Sequence, residues 1–318
     1  ISSFSFGDND LIRKLVAGLI ILVFTLVNIW SVKGMGKIED IMVYTKLIIL
    51  LIISFTLINH SNTTLPILIE ENTNATILSI LIVSSLTFVA YEGFQLVINA
   101  VNEMEKPEIN IQKAIYTALF LAVSIYVIIS LGAILAIPFS DIIENKEYAL
   151  AAGAHKILGH WGTDLVIIGA VLATSSAING TLFGASRQMS TISKDGYFPS
   201  FLEKRTNNIP VFSIITMASL AFIMILLGNL QVILEFGSVT FLLVSFLMSY
   251  ANFKIYKKTN SSLIITILSL IVLAFGTILI LYYEFTTQIE QIFFIGGLYL
   301  LLIFLAWMFA KLNKKTIN

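Results

Sequence analysis

Long apolar runs separated by short polar loops dominate the sequence. A helix needs about 20 mostly apolar residues to cross a bilayer, because nothing in hydrocarbon satisfies an unpaired backbone group. Nine stretches meet this requirement: residues 11–30, 41–58, 76–100, 112–137, 163–186, 210–228, 231–253, 262–283 and 290–310. The pattern therefore predicts an all-α, polytopic membrane protein in which residues 1–318 form a single transmembrane domain.

The composition supports this prediction. The chain is 57% hydrophobic and 12% charged, whereas soluble domains carry roughly 25% charged residues. It contains no cysteine, so a disulfide framework, a thiol nucleophile and any cysteine-based metal site are excluded.

The placement of basic residues predicts the orientation. Fourteen of the 19 Lys and Arg residues fall in loops or at span ends on one side of the membrane, and four fall in loops or at span ends on the other side. Basic residues concentrate on the cytoplasmic side of membrane proteins. The bias therefore predicts a cytoplasmic C-terminus, and it leaves one basic residue, Lys46, inside a span and away from its ends.

The third predicted span contains an acid and a glycine side by side. The stretch "SLTFVAYEGFQLVINA", residues 85–100, places Glu92 and Gly93 deep in the apolar run. An ionisable residue at such a depth is a functional hypothesis by default, and glycine permits backbone conformations that other residues avoid. One interpretation is a discontinuous helix whose backbone groups face a cavity. The other is a continuous helix with a hydrogen-bonded Glu92 and Gly93 as a packing contact.

Two further polar features lie within spans. Lys46 in "VYTKLIILL" either extends its stem to the interface or is a desolvated amine that gains and loses a proton. In the fifth span, Thr174, Ser175 and Ser176 place three hydroxyls in a row. One of these hydroxyls could bind a cation or an ammonium group, although the small residues around them equally indicate close helix packing.

The sequence does not favour an enzyme. It has no HExxH or GxSxG motif, and all three histidines, His60, His155 and His160, lie outside the predicted spans. We therefore expect no catalytic residues, no metal site, no cofactor and no nucleic-acid partner. A channel is also disfavoured, because no span carries a charge ring or a filter-like loop.

Two stretches together resemble a known family. "FVAYEGFQLVINAVNEMEKPEINIQKAI", residues 88–115, resembles the sixth-helix segment of amino acid permeases of the amino acid-polyamine-organocation superfamily. "SSAINGTLFGASRQMSTISKDGYFP", residues 175–199, resembles their eighth helix and the loop that follows it. The Lys46 region, "YYEF" and the basic C-terminal tail look closest to the proton-coupled, broad-specificity archaeal members. The chain departs from the family motif at Asn102, Lys106, Ile109 and Gln112, which puts cytoplasmic gating contacts in doubt more than the pocket.

The resemblance implies a LeuT-like fold of inverted repeats with twelve spans. The nine predicted spans would match the fourth to the twelfth, so the chain is expected to be N-terminally truncated and to lack the first three helices. The missing part would include the broken first helix, which binds the substrate carboxylate in this family.

The resemblance also implies two sites. Phe88, Val89, Ala90, Tyr91, Glu92 and Gly93 would form an unwound segment whose carbonyls receive the substrate ammonium. Lys46 would occupy the place that a sodium ion takes in other relatives, with partners among the hydroxyls of Thr174, Ser175 and Ser176.

The expected function is secondary active transport of amino acids or related amines across the cytoplasmic membrane. Transport is expected to be proton-coupled and to proceed by alternating access, with the substrate, protons and membrane lipid as partners. Three alternatives stay open: a sodium-coupled transporter, an exchanger, and a non-transporting amino acid sensor with the same fold.

Overall fold

The computed structural model describes residues 10–61, 76–145, 148–227 and 230–313. Its helices are α1 Asp10–Trp30, α2 Val32–Asn59, α3 Ile77–Leu86, α4 Pro107–Ala136, α5 Phe139–Asn145, α6 Ala149–Leu158, α7 His160–Lys194, α8 Val211–Leu227, α9 Leu230–Ile255, α10 Leu263–Thr287 and α11 Ile289–Asn313. Three 3-10 helices, Thr87–Tyr91, Phe94–Glu103 and Ser200–Glu203, complete the regular structure of these residues.

The prediction of an all-α membrane protein is confirmed. In the described residues, eight helices are long and apolar enough to cross a membrane. The sixth predicted span corresponds to α8, whose apolar part, Val211–Leu226, is shorter than these eight. The third predicted span is composite, because α3 ends at Leu86 and 3-10 helices continue it.

Local signals in the sequence set the helix ends. Ser31 is the single residue between α1 and α2, and its Oγ accepts a hydrogen bond from the Gly34 backbone N–H at 3.1 Å. This bond satisfies one of the N–H groups that the first turn of a helix leaves without an internal partner. Pro107 begins α4, where its missing N–H removes no hydrogen bond.

The chain divides into two compact units, each built from separate segments. The first comprises the described residues of Ile1–Thr73 and Gly93–Ile223, and the second those of Asn74–Glu92 and Met224–Asn318. The boundary along the third span is the Glu92–Gly93 peptide bond. The single transmembrane domain expected for residues 1–318 stays a prediction.

In the first unit, α2 is the central helix and packs against α1, α4, α6 and α7. Its apolar core joins Ile49, Ile53 and Leu57 of α2 to Ala136 at the end of α4 and Ile137 just after it. Lipid is as apolar as these side chains, so close van der Waals packing rather than water exclusion holds such helices together. The position of α2 therefore depends on shape complementarity with its neighbours.

In the second unit, α10 packs against α3, α9 and α11. Val239 and Leu242 of α9 and Ile280 of α10 form its buried cluster. Ser238 Oγ donates to the Leu86 carbonyl oxygen at 3.0 Å. Because Leu86 ends α3, this bond satisfies a carbonyl that has no partner within that helix.

The apolar surface of the helices suits a lipid environment. Residues 300–304 of α11, "LLLIF", are each more than half exposed. Five consecutive helical residues cover every direction around the axis, since each advances by about 100°. In water, apolar residues exposed on all sides of a helix would be a liability, whereas in a bilayer they contact acyl chains.

Small residues on α7 set how closely α2 approaches. A Cβ added to Gly169 would lie 2.8 Å from Ile49 Cγ2, whereas a Cβ on Gly180 of the same helix would meet no atom within 4 Å. The spacing of small residues in this span therefore reflects helix packing at Gly169, but Gly180 makes no such contact.

Replacing Gly169 by leucine is expected to lower the melting temperature of the detergent-solubilised protein. The added side chain would separate α2 from α7, and overpacking of this kind costs about 1–3 kcal/mol. Gly180→Leu is the matched control, since it adds the same side chain to the same helix in open space. Equal melting temperatures for the two variants would contradict the close packing at Gly169.

Candidate functional site

Five polar side chains of the first unit form one hydrogen-bonded chain, which we name the Lys46 network. Lys46 Nζ donates to Ser176 Oγ at 2.7 Å, and the Ser176 hydroxyl donates to Glu39 Oε1. Asn179 Nδ2 donates to Glu39 Oε2 at 2.9 Å, and Asn28 Nδ2 donates to Asn179 Oδ1 at 2.9 Å. A cation and an anion are therefore connected through one hydroxyl group.

Helix geometry explains why these residues meet. Glu39 and Lys46 are seven residues apart on α2, about two turns, so their side chains lie on one face. Ser176 and Asn179 are three residues apart on α7 and are also neighbours on one face. Ile49 near Lys46 packs at Gly169, which fixes the two faces against each other.

The network is largely enclosed by protein. Asn179 is 0% exposed, Ser176 3% and Asn28 4%, while Lys46 and Glu39 are half-buried. Buried polar groups are nearly always hydrogen-bonded, and most polar atoms of the network have a hydrogen-bond partner within it. Asn28 Oδ1 is an exception, because no donor reaches it in the part of the chain that the structure describes. The network can therefore accept one further donor at this atom.

Ser176 has the chemistry that a bridging position requires. A serine hydroxyl carries one donor and two acceptor lone pairs. It can therefore accept from the Lys46 ammonium while it donates to the Glu39 carboxylate, as the two hydrogen bonds record. This arrangement can hold an ion pair in place or pass a proton between its two ends.

The second feature is an interruption of the third span at Glu92 and Gly93. Glu92 is extended, with φ −65° and ψ 146°, and Gly93 has φ 120° and ψ −26°. The Glu92 backbone N–H donates to the Val89 carbonyl at 2.9 Å, and the Leu96 N–H donates to the Gly93 carbonyl at 3.0 Å. Of the two interpretations of this span, the structure has the discontinuous helix.

Comparison with known proteins gives the family. The family model described as amino acid permease matches residues 1–309. The chain belongs to the amino acid permease family. It is therefore an integral membrane transporter rather than an enzyme, as the sequence predicted.

Individual relatives of the permease are similar to it at moderate identity. An uncharacterized protein of Methanocaldococcus jannaschii is 26% identical, over 94% of this chain and 68% of its own length. Inner membrane transport protein YbaT of Escherichia coli is 26% identical, over 93% of this chain and 68% of its own. Serine/threonine exchanger SteT of Bacillus subtilis is 25% identical, over 80% of this chain and 58% of its own.

The residues expected to bind substrate lie immediately before the interruption and at it. Phe88, Val89, Ala90 and Tyr91 belong to the 3-10 helix Thr87–Tyr91, and Glu92 and Gly93 form the turn after it. Within the second unit, the Phe88 ring packs on Phe241 with centroids 5.2 Å apart. Glu92 is exposed, whereas Phe88, Val89 and Tyr91 are half-buried. Their role in binding stays a prediction.

Of the three consecutive hydroxyls in the permease, Ser176 alone joins Lys46. Thr174 is exposed, and its Oγ1 donates to the Ala170 carbonyl oxygen of its own helix at 2.8 Å. No hydrogen bond joins Lys46 to Thr174 or Ser175 among the residues that the structure describes. Successive helical residues point about 100° apart, so three in a row cannot face one partner.

Sequence reasoning missed Glu39, Asn179 and Asn28. The second span was predicted to begin at residue 41, which assigned Glu39 to a loop, whereas α2 begins at Val32. Two signals could have found Glu39 and Asn179, and none points to Asn28. One is the seven-residue spacing of an acid and a base, and the other is the three-residue spacing of Ser176 and Asn179 on a single helix.

Proposed function

We propose that the permease carries amino acids or related amines across the cytoplasmic membrane, that it is coupled to protons, and that it works by alternating access. The observation that carries this proposal is the Lys46 amine, which lies 2.7 Å from Ser176 Oγ and connects through it to Glu39. The positive-inside bias supports a cytoplasmic C-terminus.

Lysine at this position favours protons over sodium as the coupling ion. Sodium would need several oxygen ligands around an open position, but the ammonium group already occupies the space beside Ser176. Among basic side chains, lysine readily loses its proton when it leaves water, whereas arginine does not. The protonated amine can therefore supply the positive charge of a bound cation at this position, and the neutral amine removes that charge.

The interruption at Gly93 supports a site for the substrate ammonium. A helical segment that ends inside a span presents carbonyl groups with partial negative charge, and transporters place substrate sites at such breaks near the bilayer midplane. Thr87–Tyr91 is the segment that ends there, before the turn of Glu92 and Gly93. We assign the ammonium to this segment.

Coupling requires that proton and substrate bias one conformational equilibrium. Each ligand must bind the two access states with different affinity, and the effect of one on the other is reciprocal. Protonation of Lys46 changes the charge at the contact between α2 and α7, so it has the means to favour one packing of these helices over another. Substrate bound at the interruption would then shift the same equilibrium.

Uptake by the full-length permease in lipid vesicles tests the proposal. With the vesicle exterior more acidic than the interior, we expect accumulation of a labelled amino acid above its external concentration. An equal sodium gradient without a pH gradient is expected to give none. Accumulation driven by sodium alone would overturn proton coupling.

The same vesicles separate the remaining alternatives. The name of SteT describes an exchanger, so we include vesicles preloaded with unlabelled amino acid. Uptake that requires preloading and ignores both gradients would favour exchange. Stabilisation of the permease by amino acids without any flux would favour a sensor.

A further inference from the structure

Glu39 is connected to Lys46 through a single bridging hydroxyl, and the amino acid permease family assignment gives it no role. We infer that Glu39 is the residue that exchanges the coupling proton with Lys46 through Ser176. This inference rests on the proposed proton coupling and names the path that the proton takes at that site.

The step balances within the network. The Lys46 ammonium gives one proton to Ser176 Oγ while Ser176 gives its hydroxyl proton to Glu39 Oε1. One N–H bond breaks, one O–H bond forms at the carboxyl group, and the serine hydroxyl is regenerated. The ion pair becomes a neutral amine and a neutral carboxylic acid, and the reverse step restores it.

Burial makes this paired transfer more favourable than loss of a proton from Lys46 alone. If the amine lost its proton to distant water, the Glu39 carboxylate would remain half-buried without its cation, and an uncompensated buried charge is strongly destabilising. Transfer within the network leaves the total charge unchanged. Both end states are therefore compatible with the enclosed surroundings of Ser176, which is 3% exposed.

The two asparagines hold the carboxyl group in position for the transfer. Asn179 Nδ2 binds Glu39 Oε2, so the other oxygen, Oε1, faces the Ser176 hydroxyl. Asn28 in turn binds Asn179 Oδ1 and donates to the Phe24 carbonyl oxygen, each at 2.9 Å. Asn179 is 0% exposed, so this orientation is fixed by protein rather than by solvent.

The hydrogen bonds of the pair in the described part of the chain go to Ser176 and Asn179, which are uncharged. Arg13 and Lys14 lie on α1, about four helical turns before Asn28, the residue of that helix that joins the network. Glu108 and Lys113 of α4 are exposed. Arg187 of α7 lies 3.4 Å over the Phe183 ring of its own helix, and Lys156 of α6 pairs with Asp141. The other charged side chains and histidines described on α2, α6 and α7 are exposed: Lys37, Asp40, His155, His160, Asp164 and Lys194.

The position of Glu39 gives the path a direction. Glu39 lies two turns, about 10 Å along the axis, closer to the beginning of α2 than Lys46. In the orientation favoured by the basic residues, this is the cytoplasmic direction. Because Glu39 is half-buried rather than enclosed, its proton can leave to water on that side, and the unpaired carboxylate that this leaves lasts only until Lys46 takes up the next proton.

The test compares Glu39→Gln, Glu39→Asp and Ser176→Ala in full-length permease reconstituted in vesicles. Glutamine keeps the size of Glu39 and one of its two acceptor oxygens, but it cannot take a proton. We expect Glu39→Gln and Ser176→Ala to reduce pH-driven accumulation about tenfold or more and to flatten its pH profile, as loss of a proton-transfer group does. Exchange of internal for external substrate should persist, and Glu39→Asp should recover part of the accumulation.

Asp40→Asn is the matched control, because it removes the same charge from an exposed neighbour. Wild-type accumulation and pH profile in Glu39→Gln would overturn the inference. Loss of exchange together with accumulation in all three variants would also overturn it, since this would indicate a structural role. Failure of the proposed function is distinguishable, because the wild-type protein itself would then show no pH-driven accumulation.

Discussion

Gly93→Ala is expected to weaken substrate binding by roughly tenfold or more, with little change in the expression or membrane insertion of the permease. The backbone at Gly93 has φ 120°, which residues with a Cβ atom rarely adopt. Holding such a residue in an unfavourable conformation costs about 1–3 kcal/mol, and each 1.4 kcal/mol corresponds to about tenfold in affinity.

The substitution isolates the backbone contribution. A Cβ on Gly93 would meet no atom within 4 Å, so alanine causes no steric clash and acts through the strained turn alone. Substrate affinity would be measured by displacement of a labelled amino acid from purified permease. Gly180→Ala is the control: it also adds a Cβ in open space, but within a helix, where alanine is favoured by up to about 1 kcal/mol. Unchanged affinity in Gly93→Ala would show that binding does not require this turn.

The span pattern was predictable because it depends on short-range properties of the sequence. Each span of about 20 apolar residues satisfies its own backbone, so the apolar runs alone indicate helices. The 3-10 geometry from Phe94 to Glu103 was not predictable in this way. Apolar composition does not distinguish i→i−3 from i→i−4 hydrogen bonding, so the sequence gives no sign that the segment after Gly93 takes the former.

The candidate site was predictable only in part, for a related reason. Lys46 and Ser176 were singled out by their position inside apolar spans, the family resemblance paired Lys46 with the hydroxyls around Ser176, and the structure places Lys46 Nζ 2.7 Å from Ser176 Oγ. Glu39 was not predicted, because the span boundary was placed where polar residues begin. The segment "KIED" resembles a loop when only hydropathy is considered. The sequence around an acidic residue looks the same whether a neighbouring helix buries its side chain or leaves it exposed. Packing against α7 decides which it is.

Lys46→Ala is expected to abolish pH-driven accumulation, with a loss of about a hundredfold or more, while exchange across the membrane continues. The substitution removes the amine that carries the coupling proton, and proton-transfer groups contribute about 10²–10⁴-fold to the processes they serve. The measurement is accumulation of labelled amino acid by reconstituted full-length permease, with exchange assayed in the same vesicles. Intact pH-driven accumulation would show that Lys46 has no coupling role.

Two comparisons separate coupling from stability. Lys37→Ala removes the same charge from an exposed position on α2 and should accumulate substrate like the wild type. Lys46→Ala also leaves the Glu39 carboxylate without its cation, so its melting temperature should fall. Adding Glu39→Gln removes that unpaired charge and should restore much of the melting temperature, because contacting residues contribute non-additively. The double variant should still fail to accumulate substrate. Recovery of folding without recovery of accumulation would therefore assign the loss to the missing proton rather than to a damaged fold.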